Sequence, residues 1–384
     1  MKNLKEEIYH HEERLTAYLR WIAESKNITK NNKNVIKEFI CELRANGLSL
    51  SRQVMYARFL RQLCEAVPID FKKITKQDMQ KYFGDMNGRY ADWTMTTNKS
   101  LVKYFWRWLY GLPKGHMPEQ VSWIEIVKPK NQLRKEDLIT YKEYQKILEA
   151  TQHIRIKAML SVHYQTGVRP SELLLLNISD VLFHKNYVEI TISKGKMDKK
   201  MSPRIVIVKA EAYIYLKNWM DSHQSKSKDS PLWMTTSGNR ETLRSYSKNI
   251  KAMVKRAGIS KRIFPYLLRH TALTRLYLKH GSIIGAKIAG HSFNSREIGT
   301  YVHLSDSDVI DAVVGEKKST FEETEHKCRC GFFNPKNTER CTQCGLLFNG
   351  VDETEDRLAK MEKLVASLLE KQGNKDICTV EVKG

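Results

Sequence analysis

The stretch "FPYLLRHTALTRL" (264–276) sets Arg269 and His270 side by side in an otherwise apolar helical pattern, with Tyr266 three residues before the arginine. It reads either as a core helix with two tolerated polar residues or as the working edge of an active site. Upstream, "TGVRPSELLLLNISDV" places Arg169 just after a glycine break and Glu172 three residues further on. At that spacing two charged groups can face one another on a helix. A surface ion pair explains them as well, because glutamate is favoured at a helix start by the dipole. "SKGKMDKKMSP" concentrates Lys194, Lys196, Lys199 and Lys200 in one turn. Such a turn is usually a solvated tip, yet beside DNA it can set an ammonium against a phosphate or a leaving oxygen. "AGHSFNSREIGTYVHLSDSDV" supplies His291 after Gly290, and then Tyr301; neither says much alone.

The whole chain supplies a context for these groups. Its 384 residues suffice for two domains and a small appendage, and 41% are hydrophobic, so packed cores are feasible. Lys and Arg outnumber Asp and Glu by 65 to 43, a formal net charge of +22. A chain this basic is expected to meet a polyanion, with nucleic acid the default. The charged start "MKNLKEEIYHHEERL" does not read as a secretion leader, and no apolar run is long enough to span a membrane. Four of the seven cysteines cluster near the C-terminus, which points to a cytoplasmic protein with a metal site rather than a disulfide framework.

The elements that must position the candidate residues follow from periodicity. Residues 1–112 read as a helical domain, with apolar residues at helical spacing in "VIKEFICELRANG", "VMYARFLRQLCEAV" and "NKSLVKYFWRWLYG". The aromatics of the last run read mostly as core, with Lys103 and Arg107 at the surface, and Cys41 and Cys64 also read as core. Residues 113–137, rich in proline and lysine, read as a linker. A second domain, 138–318, opens on a helix capped by Thr140 with Glu143 as its box partner. A further helix, "IRIKAMLSVHYQTG", ends at Gly167. "YVEITIS" and "RIVIV" read as two strands of a small antiparallel sheet around the lysine turn. Residues 324–348 form a cysteine module, and 352–373 an amphipathic helix with a short coiled-coil seam. The expected fold class is mainly α: a helical domain, a mixed α/β domain with a small antiparallel sheet, a small zinc ribbon and a C-terminal helix.

The order Arg169, lysine turn, Tyr266-x-x-Arg269-His270, Gly290-His291, Tyr301 resembles the tyrosine recombinase (phage integrase) family. "TGVRPSELLLLNISDV" looks like its first arginine box, "YLLRHTALTRL" like its second, and "AGHSFNSREIGTYVHLSDSDV" like its histidine and nucleophile region. "YVHLSDSDV" in particular is similar to the archaeal members, and the order and spacing as a whole also resemble the Xer-like branch. The resemblance covers roughly residues 5–315. It implies a site-specific recombinase with a helical core-binding domain and a catalytic domain. In that reading Tyr301 attacks the scissile phosphodiester and leaves a 3′-phosphotyrosine link, without metal or nucleotide cofactor. Arg169, Arg269 and His291 would hold the phosphate, and Glu172 and His270 would support them. Lys194, or else Lys196, would protonate the leaving 5′-oxygen. The family usually has histidine where Tyr266 stands, so Tyr266 is expected to contact or position the phosphate rather than act as a base. Implied partners are double-stranded DNA with a specific target site and copies of the same chain, as a tetramer on DNA. Rival readings are a relaxing topoisomerase of the same chemistry and a weakened DNA-binding architectural or regulatory protein of the same fold.

In "HKCRCGFFNPKNTERCTQCG" a glycine follows the last cysteine of each pair, at Gly331 and Gly345. Such glycines let the backbone turn so that amides point at thiolates. Cys328, Cys330, Cys341 and Cys344 are expected to hold a structural zinc, with His326 as an alternative ligand because the first pair is spaced by one residue rather than two.

Overall fold

The computed structural model describes residues 4–127, 129, 133–193, 203–291, 325–335 and 338–348. It divides into two compact units.

The first unit runs over Met1–Asp137 and takes in Pro170–Leu175 and Met234–Lys248. Its helices are α1 (Leu4–Tyr9), α2 (His11–Glu24), α3 (Lys30–Ala45), α4 (Leu50–Ala66), α5 (Lys76–Met86), α6 (Asp92–Leu109) and the short α7 (Glu119–Ser122), with α10 (Pro170–Leu174) added from later in the chain. Local chemistry sets the ends. The Thr29 hydroxyl accepts from the Asn32 amide to start α3. Thr75 and Asp78 form a capping box for α5, and such a cap stabilises by about 1 kcal/mol. The core is aromatic: Phe39, Phe71, Phe105 and Trp106 are fully buried, with the Phe39 and Phe105 rings edge to face at 5.0 Å. Tyr110, at the end of the same run, is exposed. Cys64 lies in this core, whereas Cys41, expected there too, is exposed. Cys41 follows the buried Ile40 on α3, one residue past the core-facing stripe.

The segment read as linker contributes to the same unit. Val121 and Ile124 are buried in the core cluster, and the Lys103 ammonium donates to the Ile124 carbonyl at 2.8 Å. Arg240, from the later insertion, is buried here and donates to Glu7 Oε2 at 2.9 Å and to the Leu174 carbonyl at 3.1 Å.

The second unit contains α8 (Tyr141–Glu149), α9 (Ile154–Thr166), α11 (Ala210–Asp221), α13 (Pro265–Ala289) and two small sheets, and α12 (Leu243–Arg256) ends in it. Thr140 and Glu143 form the expected capping box of α8. α9 ends on Gly167 in the left-handed region, φ 61°. The first sheet is antiparallel in the order β1 (Val181–Phe183), β2 (Val188–Ile192), β3 (Arg204–Val208). Pairing of Val188 with Val208, Ile190 with Val206 and Ile192 with Arg204 puts the apolar alternates on one buried face, with Arg204 at its end. β1 was not anticipated: three residues are too few for alternation to show. The second sheet pairs β4 (Glu325–Lys327) with β5 (Phe333–Pro335). Helix dominates both units, and the sheet content is small, as expected. Among the described residues no helix is long and apolar enough to cross a membrane.

Candidate active site and metal centre

α13 explains how "FPYLLRHTALTRL" can be both core and site. It begins with Pro265 at its first position, where a missing amide costs nothing, and buries Leu267, Leu268, Ala272 and Leu273. Leu276 is only half-buried. The helix packs on α9 so closely that a Cβ at Gly167 would lie 2.9 Å from the Ala272 Cβ. Arg269 belongs to the buried face, at 1% exposure. A buried guanidinium must find acceptors. Its Nη1 donates to the Gly167 carbonyl at 2.7 Å and its Nη2 to the Ala289 carbonyl at 3.1 Å.

The far end of α13 supplies those acceptors. The helix breaks at Gly281 (φ 77°, ψ 171°), resumes, and closes on Gly290 in the left-handed region, φ 69°. The His291 amide bonds back to the Ala286 carbonyl at 2.9 Å, so the terminus is a tight left-handed cap. The last carbonyls of a helix lack intrahelical donors and carry the negative end of its dipole. Here arginines fill them. Arg204 Nε donates to Ile288 O at 2.7 Å, Arg269 to Ala289 O, and Arg169 Nη1 to the same Ala289 O at 3.4 Å. One carbonyl thus draws together the two guanidiniums singled out in the sequence. His291 follows directly: its Nε2 lies 3.0 Å from Arg269 Nη2, and its Nδ1 lies 3.0 Å from the Tyr277 hydroxyl.

Arg169, Arg269 and His291 are therefore one cluster, and planar guanidinium forks with an imidazole match the oxygens of a phosphate. Tyr266 stands one turn before Arg269 at the exposed start of α13, 45% accessible, and His270 is half-buried beside Arg269. Glu172 is buried in α10. Lys194, Lys196 and Tyr301 lie outside the described residues, as does the helix expected over 352–373. Sequence reading missed Arg204 and Tyr277. Arg204 looks like the polar end of a strand, and Tyr277 like one more apolar position four residues after Leu273.

The cysteine module also closes. The Sγ atoms of Cys328, Cys330, Cys341 and Cys344 all lie within 4.8 Å of one another, with Cys328 to Cys344 at 3.6 Å and Cys330 to Cys341 at 3.7 Å. A tetrahedron with metal–sulfur bonds of about 2.3 Å has edges of roughly 3.8 Å, so the four thiols fit zinc. His326 is not part of the group; its ring packs edge-on against Phe348. Gly331 and Gly345 adopt positive φ, and their amides donate to Cys328 O and Cys341 O. Burial would raise the Cys341 thiol, but the Cys344 and Gln343 amides and the Asn334 side chain hold it down at about 6. Asn334, fully buried and unforeseen, donates to Cys341 Sγ at 3.4 Å and accepts from the Thr342 amide at 2.9 Å. The module rests on the second unit: Phe332 is buried edge-to-face on Tyr213 at 5.2 Å, and the Lys209 ammonium sits 4.2 Å from the Phe333 ring centre.

Residues 137–308 match the phage integrase family. A tyrosine recombinase of Pseudothermotoga lettingae is 32% identical over 190 residues, covering 49% of this chain and 63% of that one. The tyrosine recombinase XerD of Oceanobacillus iheyensis is 29% identical over 200 residues, covering 49% of this chain and 64% of that one. The chain thus spans a little under two thirds of the length of these curated relatives. Among solved structures, a lambda integrase tetramer bound to a Holliday junction shares the fold, with a TM-score of 0.56 at 15% identity over 72% of this chain and 78% of that one. The matched segment contains both arginine boxes, His291 and Tyr301, and it is similar to the tyrosine recombinase, or phage integrase, family.

Proposed function

We propose that this chain is a site-specific DNA recombinase or integrase that breaks and rejoins strands through a covalent 3′-phosphotyrosine link. The observation that carries the reading is the convergence of Arg169, Arg269 and His291 at the end of α13, in a chain whose residues 137–308 match the phage integrase family and hold a tyrosine ten residues after the histidine. The Tyr301 hydroxyl attacks the scissile phosphorus and gives up its proton, the bond to the 5′-oxygen breaks, and that oxygen is protonated as it leaves. Lys194 is assigned the proton donation, with Lys196 as the alternative in the same turn. Charge that builds on the non-bridging oxygens is met by the two guanidiniums and the imidazole. Tyr266 contacts or positions the phosphate, and Glu172 and His270 hold their neighbours in place. The bond energy is kept in the phosphotyrosine, so the reaction needs no cofactor.

In this reading residues 1–112 are the core-binding domain, 138–318 the catalytic domain, and the net charge of +22 serves phosphate contacts on a specific duplex site. The functional assembly is a tetramer on DNA, and the protein works in the cytoplasm. Cys328, Cys330, Cys341 and Cys344 hold a structural zinc, because four protein ligands leave no open position for catalysis. Strand exchange between two duplexes that share a target site tests the reading. Exchanged products support it. Relaxation of supercoils without exchange points to a topoisomerase, and binding without any cleavage points to an architectural protein.

A further inference from the structure

One buried hydroxyl outside the family boxes reaches the phosphate-binding cluster. Tyr277 lies on α13 between Arg269 and the break at Gly281, 5% exposed, and sets its phenol oxygen 3.0 Å from His291 Nδ1. Arg269 Nη2 stands 3.0 Å from the opposite ring nitrogen, Nε2. A guanidinium has only donors to offer, so Nε2 meets it as an acceptor. The proton of the neutral ring then sits on Nδ1 and is donated to the Tyr277 oxygen. When Nε2 must instead donate to a phosphate oxygen, the proton moves to that side and Nδ1 becomes the acceptor. A hydroxyl can follow the change by donating where it had accepted, with no movement of either ring.

The phenol is itself held. The break at Gly281 brings the second stretch of α13 back against the first, and Gly285 packs closely against the Tyr277 ring. A Cβ at Gly285 would stand 2.7 Å from Tyr277 Cε1, so only glycine allows this approach. Tyr277, Ala286 and Ala289 share a small buried cluster with Leu273.

We propose that Tyr277 is the positioning residue of His291: it fixes the imidazole by Nδ1 so that Nε2 points at the phosphate site, and stays bonded to the ring in both tautomers. The proposal rests on the recombinase reading for its effect on rate, and on geometry alone for its effect on the ring. Two measurements on the full-length chain separate the two. The first is the rate of covalent adduct formation on nicked duplex DNA for wild type, Tyr277→Phe, His291→Ala and the double variant. Phe keeps the packed ring and removes only the hydroxyl. Tyr277→Phe should slow the adduct by about tenfold, the worth of one hydrogen bond, with DNA affinity unchanged and only a small drop in melting temperature. In the His291→Ala background the same change should cost nothing further. An equal loss in both backgrounds, or no loss in either, overturns the proposal. The second is the ¹⁵N spectrum of the His291 ring, assigned with His291→Ala. DNA-free wild type should carry the proton on Nδ1, and Tyr277→Phe should move the Nδ1 resonance as its acceptor is lost, with the tautomer still held by Arg269 at Nε2. If wild type forms no adduct, the recombinase reading fails, and this spectrum still decides the role of Tyr277. An unchanged spectrum in Tyr277→Phe overturns it.

Discussion

Arg269 Nη2 stands 3.0 Å from His291 Nε2, so the two groups expected to hold one phosphate already touch across 22 residues of chain. The same nitrogen donates to the Ala289 carbonyl, and its partner Nη1 to Gly167 O. The guanidinium is thereby fixed before any substrate arrives, which is the preorganisation that electrostatic catalysis requires. Arg269→Lys keeps the charge but cannot span both carbonyls. It should slow adduct formation by roughly 10²–10³-fold, and leave a buried acceptor unpaired at a cost of about 1–3 kcal/mol in urea unfolding. A lysine variant with wild-type cleavage rates would show that the fork geometry is irrelevant.

Gly285 offers an independent handle on the Tyr277 hydroxyl. In Gly285→Ala the added methyl must push the Tyr277 ring aside, since the two would otherwise overlap. Cleavage should fall at least as far as in Tyr277→Phe, and the melting temperature should drop as well, because overpacking typically costs about 1–3 kcal/mol. Full activity in the alanine variant would mean that the ring can move without consequence.

The four-thiol cluster, read as a zinc site, predicts one zinc per chain by elemental analysis and none in Cys341→Ser with Cys344→Ser. Because Phe332 is buried against Tyr213 of α11, loss of the metal should loosen more than the module. Chelation is expected to lower the melting temperature of the second unit by several degrees, on the order of 1–2 kcal/mol of lost packing. Metal-free protein with an unchanged melting curve would separate the module from the unit it rests on.

Two glutamates of the second unit should titrate with opposite sign. Glu143 is partly desolvated, but the Thr140 amide and the Lys261 ammonium hold its carboxyl below the usual range. Its stabilising share is present above the unfolded value and is lost as pH falls through the lower folded one. Burial raises Glu211 more than the hydroxyls of Tyr215 and Tyr144 lower it. The folded chain then binds the extra proton, and stability falls as pH rises through the raised value. Urea unfolding at pH 4 and pH 7 checks both. Glu143→Gln should cost about 1 kcal/mol at pH 7, as for a lost cap, and less at pH 4. Glu211→Gln should be better tolerated at pH 7 than at pH 4; the reverse order would contradict the assignment.

The candidate cluster was legible where residue types and spacing are carried in contiguous stretches. Arg169, Arg269 and His291 each sit in a short box that is ambiguous alone and points to one site only by the order of the boxes, and the structure brings those three together. Thr140, Glu143 and Gly167 were legible for a local reason, since caps and left-handed turns depend on neighbours within a few residues. Tyr277 and Arg204 were not. Their roles arise from contacts 14 and 84 residues away, and nothing in the periodicity of α13 or β3 marks them. Asn334 hid in the same way among the residues between the cysteines. The stretch around Val121 and Ile124 misled because prolines and lysines dominate its composition, while two apolar side chains suffice to anchor it in the core. Cys41 misled because cysteine is a common core residue, and its neighbour Ile40 took the buried position instead.

The central claim is that Tyr301 becomes joined to DNA. A pooled library of nicked duplexes with a randomised core, incubated with the full-length chain and digested, reports this through a DNA-linked peptide. The account predicts a peptide linked through Tyr301 to a 3′-phosphate, its absence in Tyr301→Phe, and a sharp loss in Arg269→Lys. A link at another residue, or an adduct that survives Tyr301→Phe, would contradict it.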